Sequence, residues 1–156
     1  MIKVNVILEE KAWSRYLIHP EKYIKNKISL IVKNSKFLTK KKVAFTIALS
    51  GSKKIKTLNK KFRKKDKATD VLSFPFYKEN ELRSILRTNK EKLYLGDVII
   101  NFYKIKKVNF YDHFDSLWVH GFLHLLGYKH KKDSDFDKMQ SKEKKILNLF
   151  KKNVSK

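Results

Sequence analysis

The chain has 156 residues, enough to bury one continuous core and too few for two ordinary domains. Hydrophobic residues make up 42% and aromatics 13%, which excludes a chain disordered for want of core-forming side chains. Thirty-eight Lys+Arg against 15 Asp+Glu give a formal net charge of +23, so polyanionic partners are expected, nucleic acid or ribosome ahead of a membrane surface.

In chain order, Ile2 to Leu8 alternates Ile2, Val4 and Val6 against Lys3 and Asn5 and predicts a strand. Pro20 suits a first helical turn, and Ile24, Ile28, Ile31 and Val32 form one helical stripe running to about Phe37. Val43 to Ser50 alternates again, a second strand. Ser50 and Ser52 are candidate caps for a helix through Ile55, Leu58 and Phe62. A charged loop then feeds a short strand, Val71 to Phe74, that Pro75 ends or places at an edge.

Tyr77 to Lys92 is polar and weakly patterned and reads as a surface excursion. Leu93 to Ile100 resumes the strand pattern, with Gly96 as a bulge or a turn between two pieces. A helix from Asp112 or Asp115 to about Leu126 is stopped by Gly127. The last helix, from Asp133 or Ser134, sets Phe136, Met139, Ile146, Leu147 and Phe150 on one side, with a tail fraying from Lys151. No internal repeat or interdomain linker interrupts residues 1–156. The expected class is therefore α+β, a single domain with a small mixed β-sheet of about four strands packed with helices.

With no cysteine, disulfides and thiolate metal sites are excluded, and any metal must be held by His, Asp or Glu. The N-terminal stretch does not read as a secretory signal, and the longest apolar run, around Leu117 to Tyr128, falls short of the roughly 20 residues of a membrane span. A soluble, cytoplasmic protein with no membrane partner is the expectation.

His120 and His124 are four apart, so on a helix their rings project from one face a turn apart. Gly127 lets the chain fold back so that His130 supplies a third nitrogen. Three neutral imidazoles suit one Zn²⁺ or another divalent transition metal and leave a fourth position open to water, as in catalytic rather than closed structural sites. Phe122, Leu123, Leu125 and Leu126 anchor this zincin-like metal helix in the core. Metalloproteases place a glutamate directly after the first histidine as general base; here that position is Gly121, which ranks peptidase chemistry low.

Together, "HGFLHLLGYKH", "LNKKFRKKDKATDVLSFPF" and "YLGDVIIN" resemble the YbeY family of metal-dependent endoribonucleases, the rRNA maturation factors of bacteria. The resemblance implies a zinc-type ion on His120, His124 and His130 and hydrolysis of single-stranded RNA. It further implies a role in maturing the 3′ end of small-subunit rRNA and in ribosome quality control, with small-subunit proteins and an assembly GTPase as partners. Two positions depart from the family pattern. Lys129 stands where Asp usually precedes the third histidine, and Lys64 where Gly commonly follows the arginine.

Arg63 falls on the family's functional arginine. In a chain whose only arginines are Arg15, Arg63, Arg83 and Arg87, it is also a candidate bidentate phosphate donor. It would stabilise the charge of the transition state, while Lys60, Lys61, Lys64, Lys65 and Lys67 steer the RNA backbone. Asp70 and Ser73 either line the cleft or cap the loop. Asp97 reads as a turn or strand-end anchor, Asp133 and Asp135 as caps, and His19 and His113 as surface or structural residues. The alternative function is a non-catalytic, ribosome-associated RNA-binding factor whose metal site is structural.

Overall fold

The computed structural model describes residues 1–35, 41–88 and 92–154. Its elements in order are β1 (Ile2–Leu8), a 3-10 turn (Lys11–Arg15), α1 (Pro20–Lys33), β2 (Val43–Ser50), α2 (Ser52–Arg63), β3 (Val71–Pro75), α3 (Glu79–Thr88), β4 (Leu93–Asn101), a second 3-10 turn (Phe102–Lys104), α4 (Phe110–Leu125) and α5 (Asp133–Val154). The four strands form one sheet in the order β1-β2-β4-β3. β1, β2 and β4 run parallel, and β3 pairs antiparallel with β4 as an edge strand. The expected small mixed sheet is found.

β2 shows why the sheet has two unequal faces. All eight of its residues are buried. Val43, Phe45, Ile47 and Leu49 point into the main core, where Ile24, Ile28 and Ile31 of α1, the apolar side of α4, and Met139, Ile146 and Phe150 of α5 meet them. The intervening small residue Ala48 faces the other way and packs with Ile55 of α2, Leu72 and Ile99 in a second, smaller cluster. Large residues on one face and small ones on the other thus select where the helices settle. Trp13, fully buried, donates its indole N–H to the Ser50 carbonyl at 2.9 Å and stacks edge-on against Phe102, Phe110 and Phe114.

Several expectations are corrected. Tyr77 to Lys92 is not a bare excursion, because α3 occupies Glu79–Thr88 and buries Leu82 and Leu86 in the main core. Ser50 and Ser52 do not cap α2; Gly51 occupies the cap position, and Ser52 Oγ bonds the Asn101 side chain. α5 runs on through Lys151 to Val154, held by Phe150 stacked on Trp118 at 5.8 Å. Phe136, expected on the buried side of α5, is half exposed. α1 ends at Lys33 with Asn34 as its C-cap, short of the expected Phe37, which itself lies outside the described residues. Gly96 does not break β4, which stays one strand. It takes φ +133°, and the register with β2 slips by one residue there, a bulge.

Candidate metal centre and RNA-facing edge

α4 carries His120 and His124, and its sequence places it firmly. Phe114, Leu117, Trp118, Val119, Phe122, Leu123 and Leu125 are buried. At Gly121 the helix presses close to the sheet: a Cβ there would lie 2.5 Å from Val98 Cγ1 and 3.2 Å from Ser73 Oγ. The position after the first histidine therefore faces β4 and has no room for a glutamate. A peptidase-type general base is excluded at this place by packing as well as by residue type.

The helix stops as the glycine predicts. Gly127, at φ +96°, sends its N–H to the His124 carbonyl at 3.0 Å, and Tyr128 sends its N–H to the Leu123 carbonyl at 3.0 Å. This pair of bonds is a Schellman stop, in which only a residue tolerant of positive φ fits the pivot. The turn also orients a ring, because the Tyr128 carbonyl it exposes lies 2.9 Å from His124 Nδ1. His120 Nδ1 lies 2.5 Å from Glu143 Oε1 on α5. Both partners are acceptors, so each Nδ1 carries a proton, and in the neutral ring Nε2 is then the lone-pair nitrogen.

Those two Nε2 atoms face each other at 3.1 Å. That spacing suits a shared proton or a shared ion, and nitrogens on one zinc ion at about 2.0–2.1 Å would be spaced only slightly farther apart. His130 completes the group: its ring centroid is 4.9 Å from that of His124 and 5.7 Å from that of His120. One ligand atom from each of the three lies within 4.8 Å of the others. The donor set thus fits a divalent ion. Burial, and then the neighbouring charge of His120, push the His124 pKa down to about 4, so its lone pair is free at neutral pH.

Among the described residues, this metal-competent group contains no carboxylate. Asp133 and Asp135 do not cap α5 as expected: both lie within its first helical turn, and the Lys132 carbonyl accepts the Phe136 N–H at the cap position. His19 is exposed, and half-buried His113 accepts the Lys106 N–H at 3.0 Å. Asp97 is not a turn or strand-end anchor. It sits within β4 and accepts the Tyr94 hydroxyl. Glu143 went unread in the sequence, since 23 residues and a loop separate it from His120 and nothing local marks it.

β3 links this centre to the basic segment. Ser73 points its hydroxyl to the Gly121 carbonyl of α4 at 3.5 Å, while its own carbonyl accepts Arg63 Nη2 at 2.7 Å from the strand's free side. The Arg63 guanidinium also lies 5.8 Å from the Phe74 ring centre. Asp70 caps the strand start, its Oδ1 accepting the Val71 N–H at 2.8 Å, so the loop-capping alternative describes it. Lys60, Lys61, Lys64, Lys65 and Lys67 are all exposed around Arg63. Lys64 ends α2 at φ +56°, a conformation that suits glycine and accounts for the residue expected there in similar chains. Lys129 Nζ meets Glu79 Oε2 at 2.9 Å, so the lysine before His130 is turned toward α3.

A mixed sheet carrying a helix with two histidines, joined by a third from the following turn, gives a single α+β domain a three-histidine group that could hold a metal ion. A family model described as Endoribonuclease YbeY matches residues 9–151. The chain belongs to that family. The Endoribonuclease YbeY of Pelagibacter ubique (strain HTCC1062) is 38% identical over 161 residues, covering 99% of this chain and 100% of the relative. That of Wolbachia sp. subsp. Drosophila simulans (strain wRi) is 32% identical over 154 residues, covering 94% and 93%. The solution structure of TM1509 from Thermotoga maritima superposes with a TM-score of 0.60 at 28% identity, covering 99% of this chain and 93% of that one.

Proposed function

We propose that the chain is a metal-dependent endoribonuclease that cuts single-stranded RNA, with His120, His124 and His130 holding one zinc-type ion and Arg63 receiving the scissile phosphate. The observation that carries this reading is the convergence of His120, His124 and His130, with two Nε2 atoms 3.1 Å apart, on a helix that also packs against the strand anchoring Arg63. A divalent ion bound there supplies Lewis acidity and an activated water at neutral pH.

The chain's own residues set up the rest. Glu143 and the Tyr128 carbonyl fix two ring orientations, so the lone pairs converge before any ion arrives. Arg63 is permanently charged, and with one Nη donating to Ser73 its remaining N–H groups are free to fork onto a phosphate whose charge grows in the transition state. The surrounding lysines, on a chain of net charge +23, raise the local concentration of RNA backbone.

We infer that its substrate is small-subunit rRNA, cut in 3′-end maturation and ribosome quality control in the cytoplasm, with small-subunit proteins and an assembly GTPase as partners, a reading that family membership supports. No described helix is long and apolar enough to cross a membrane. The test compares the metal-loaded protein with His120→Ala, His124→Ala and Arg63→Ala on single-stranded and duplex RNA. Cutting of the single strand by wild type alone is expected. Equal cutting by all four proteins, or none by wild type with RNA binding unchanged throughout, overturns the assignment, and the second result supports the non-catalytic binding factor instead.

A further inference from the structure

Resting on the reading of the chain as a nuclease for single strands, we propose that Phe62 and Phe76 form a stacking platform for unpaired RNA bases beside the edge that Arg63 occupies. Phenylalanine normally leaves water, yet Phe62 is 58% exposed at the end of α2 and Phe76 65% exposed just after β3. Neither ring is loose. Phe62 meets Phe74 edge-to-face at 5.4 Å, and Phe76 meets Tyr77 at 4.9 Å and Tyr94 at 6.2 Å. Phe74 lies in β3 and Phe76 in the bend that follows Pro75, backed by Tyr94 of β4, so the rings make a row along the outer strand and its exit.

Cations are interleaved with this row. Lys61 Nζ lies 5.3 Å from the Phe62 ring centre and the Arg63 guanidinium 5.8 Å from that of Phe74. Lys60, Lys64 and Lys65 are exposed alongside. Aromatic faces set among positive charges match a ligand with flat bases on an anionic backbone, and bind it with little regard to sequence. A duplex hides its base faces, so the same platform selects unpaired strands. Ser73, between Leu72 and Phe74, turns its side chain to the metal helix while Phe74 turns toward α2, so the row and the metal helix lie on opposite faces of the edge strand, with Arg63 bonded to the carbonyl on the strand's free side.

The experiment uses the metal-loaded protein and short 2′-O-methyl oligonucleotides that resist cleavage, single-stranded, duplex, or abasic. Phe62→Ala and Phe76→Ala are each expected to weaken single-strand binding by roughly fivefold to a hundredfold, leaving duplex and abasic binding unchanged. The dependence of affinity on salt should keep its slope in both variants, whereas Lys60→Ala should lower it by about 0.7 per lost phosphate contact. Phe62→Trp and Phe76→Trp report stacking directly by fluorescence quenching, since the native Trp13 and Trp118 are fully buried. Ile18→Ala, at a site 80% exposed after the opposite edge strand, should bind as wild type.

Unchanged single-strand affinity in both alanine variants, equal binding of abasic and base-bearing strands, or no quenching overturns the platform. Cleavage that persists in such a case leaves the nuclease reading standing. Conversely, stacking in a protein that cuts nothing leaves the platform standing without the nuclease.

Discussion

Replacing Glu143 tests the histidine geometry without touching a histidine. Its Oε1 takes the His120 Nδ1 proton at 2.5 Å, a short, charge-assisted bond with both side chains more than half shielded from water. The bond orients the ring and makes Nε2 a stronger donor to an ion. Removing partners of this kind typically lowers metal affinity 10- to 100-fold, about 1.4–2.7 kcal/mol. Glu143→Gln keeps an acceptor oxygen and loses the charge, so it belongs near the lower figure. Glu143→Ala loses both and belongs near the upper. Zinc affinity measured by chelator competition at neutral pH gives the ratio, and thermal unfolding of the stripped proteins checks that the fold is intact. Zinc affinity in Glu143→Ala within about twofold of wild type, with the fold preserved, would refute the claim that this carboxylate presets the site.

Lys64→Gly relieves the positive φ at the end of α2 and is expected to raise unfolding stability by roughly 0.5–1 kcal/mol, read by urea denaturation. Gly121→Ala drives a methyl against Val98 and should cost about 1–3 kcal/mol, much of it restored by a second change, Val98→Ala. Lys129→Asp breaks an exposed ion pair and sets a carboxylate beside Glu79, so stability should fall only slightly; adding Glu79→Lys should recover it, as a double-mutant cycle would show. In metal-stripped protein, His124 titrates near 4 folded and near its ordinary 6.5 unfolded. The unfolded chain therefore binds more protons between those values, and stability should fall as pH drops from about 6.5 toward 4, with a shallower fall in His124→Gln.

Much of this was legible because it is local. β2 and the span of α2 follow from short-range periodicity, and the three histidines from a four-residue spacing and one glycine. α3 escaped because Leu82, Ile85 and Leu86, though at helical intervals, are outnumbered by charged neighbours, and only the tertiary core reveals that Leu82 and Leu86 are buried. The cap of α2 was misassigned to serines because hydroxyls are the commoner choice; here Gly51 is buried close to Glu10 and Tyr103, and Ser52 is engaged by Asn101. Glu143 lies on another helix, and no spacing rule connects a residue to a ring 23 positions earlier.

The outer side of β3 has a property separate from chemistry. Its Ser73 carbonyl is covered by Arg63, the Val71 N–H is satisfied by Asp70, and Pro75 offers no N–H at all. Such features keep an unpaired strand from zipping onto a neighbour and seeding aggregates. Arg63 is thus a guard against self-association as well as a candidate phosphate donor. A loss of activity on its removal speaks for phosphate binding only where light scattering shows the molecules have stayed apart.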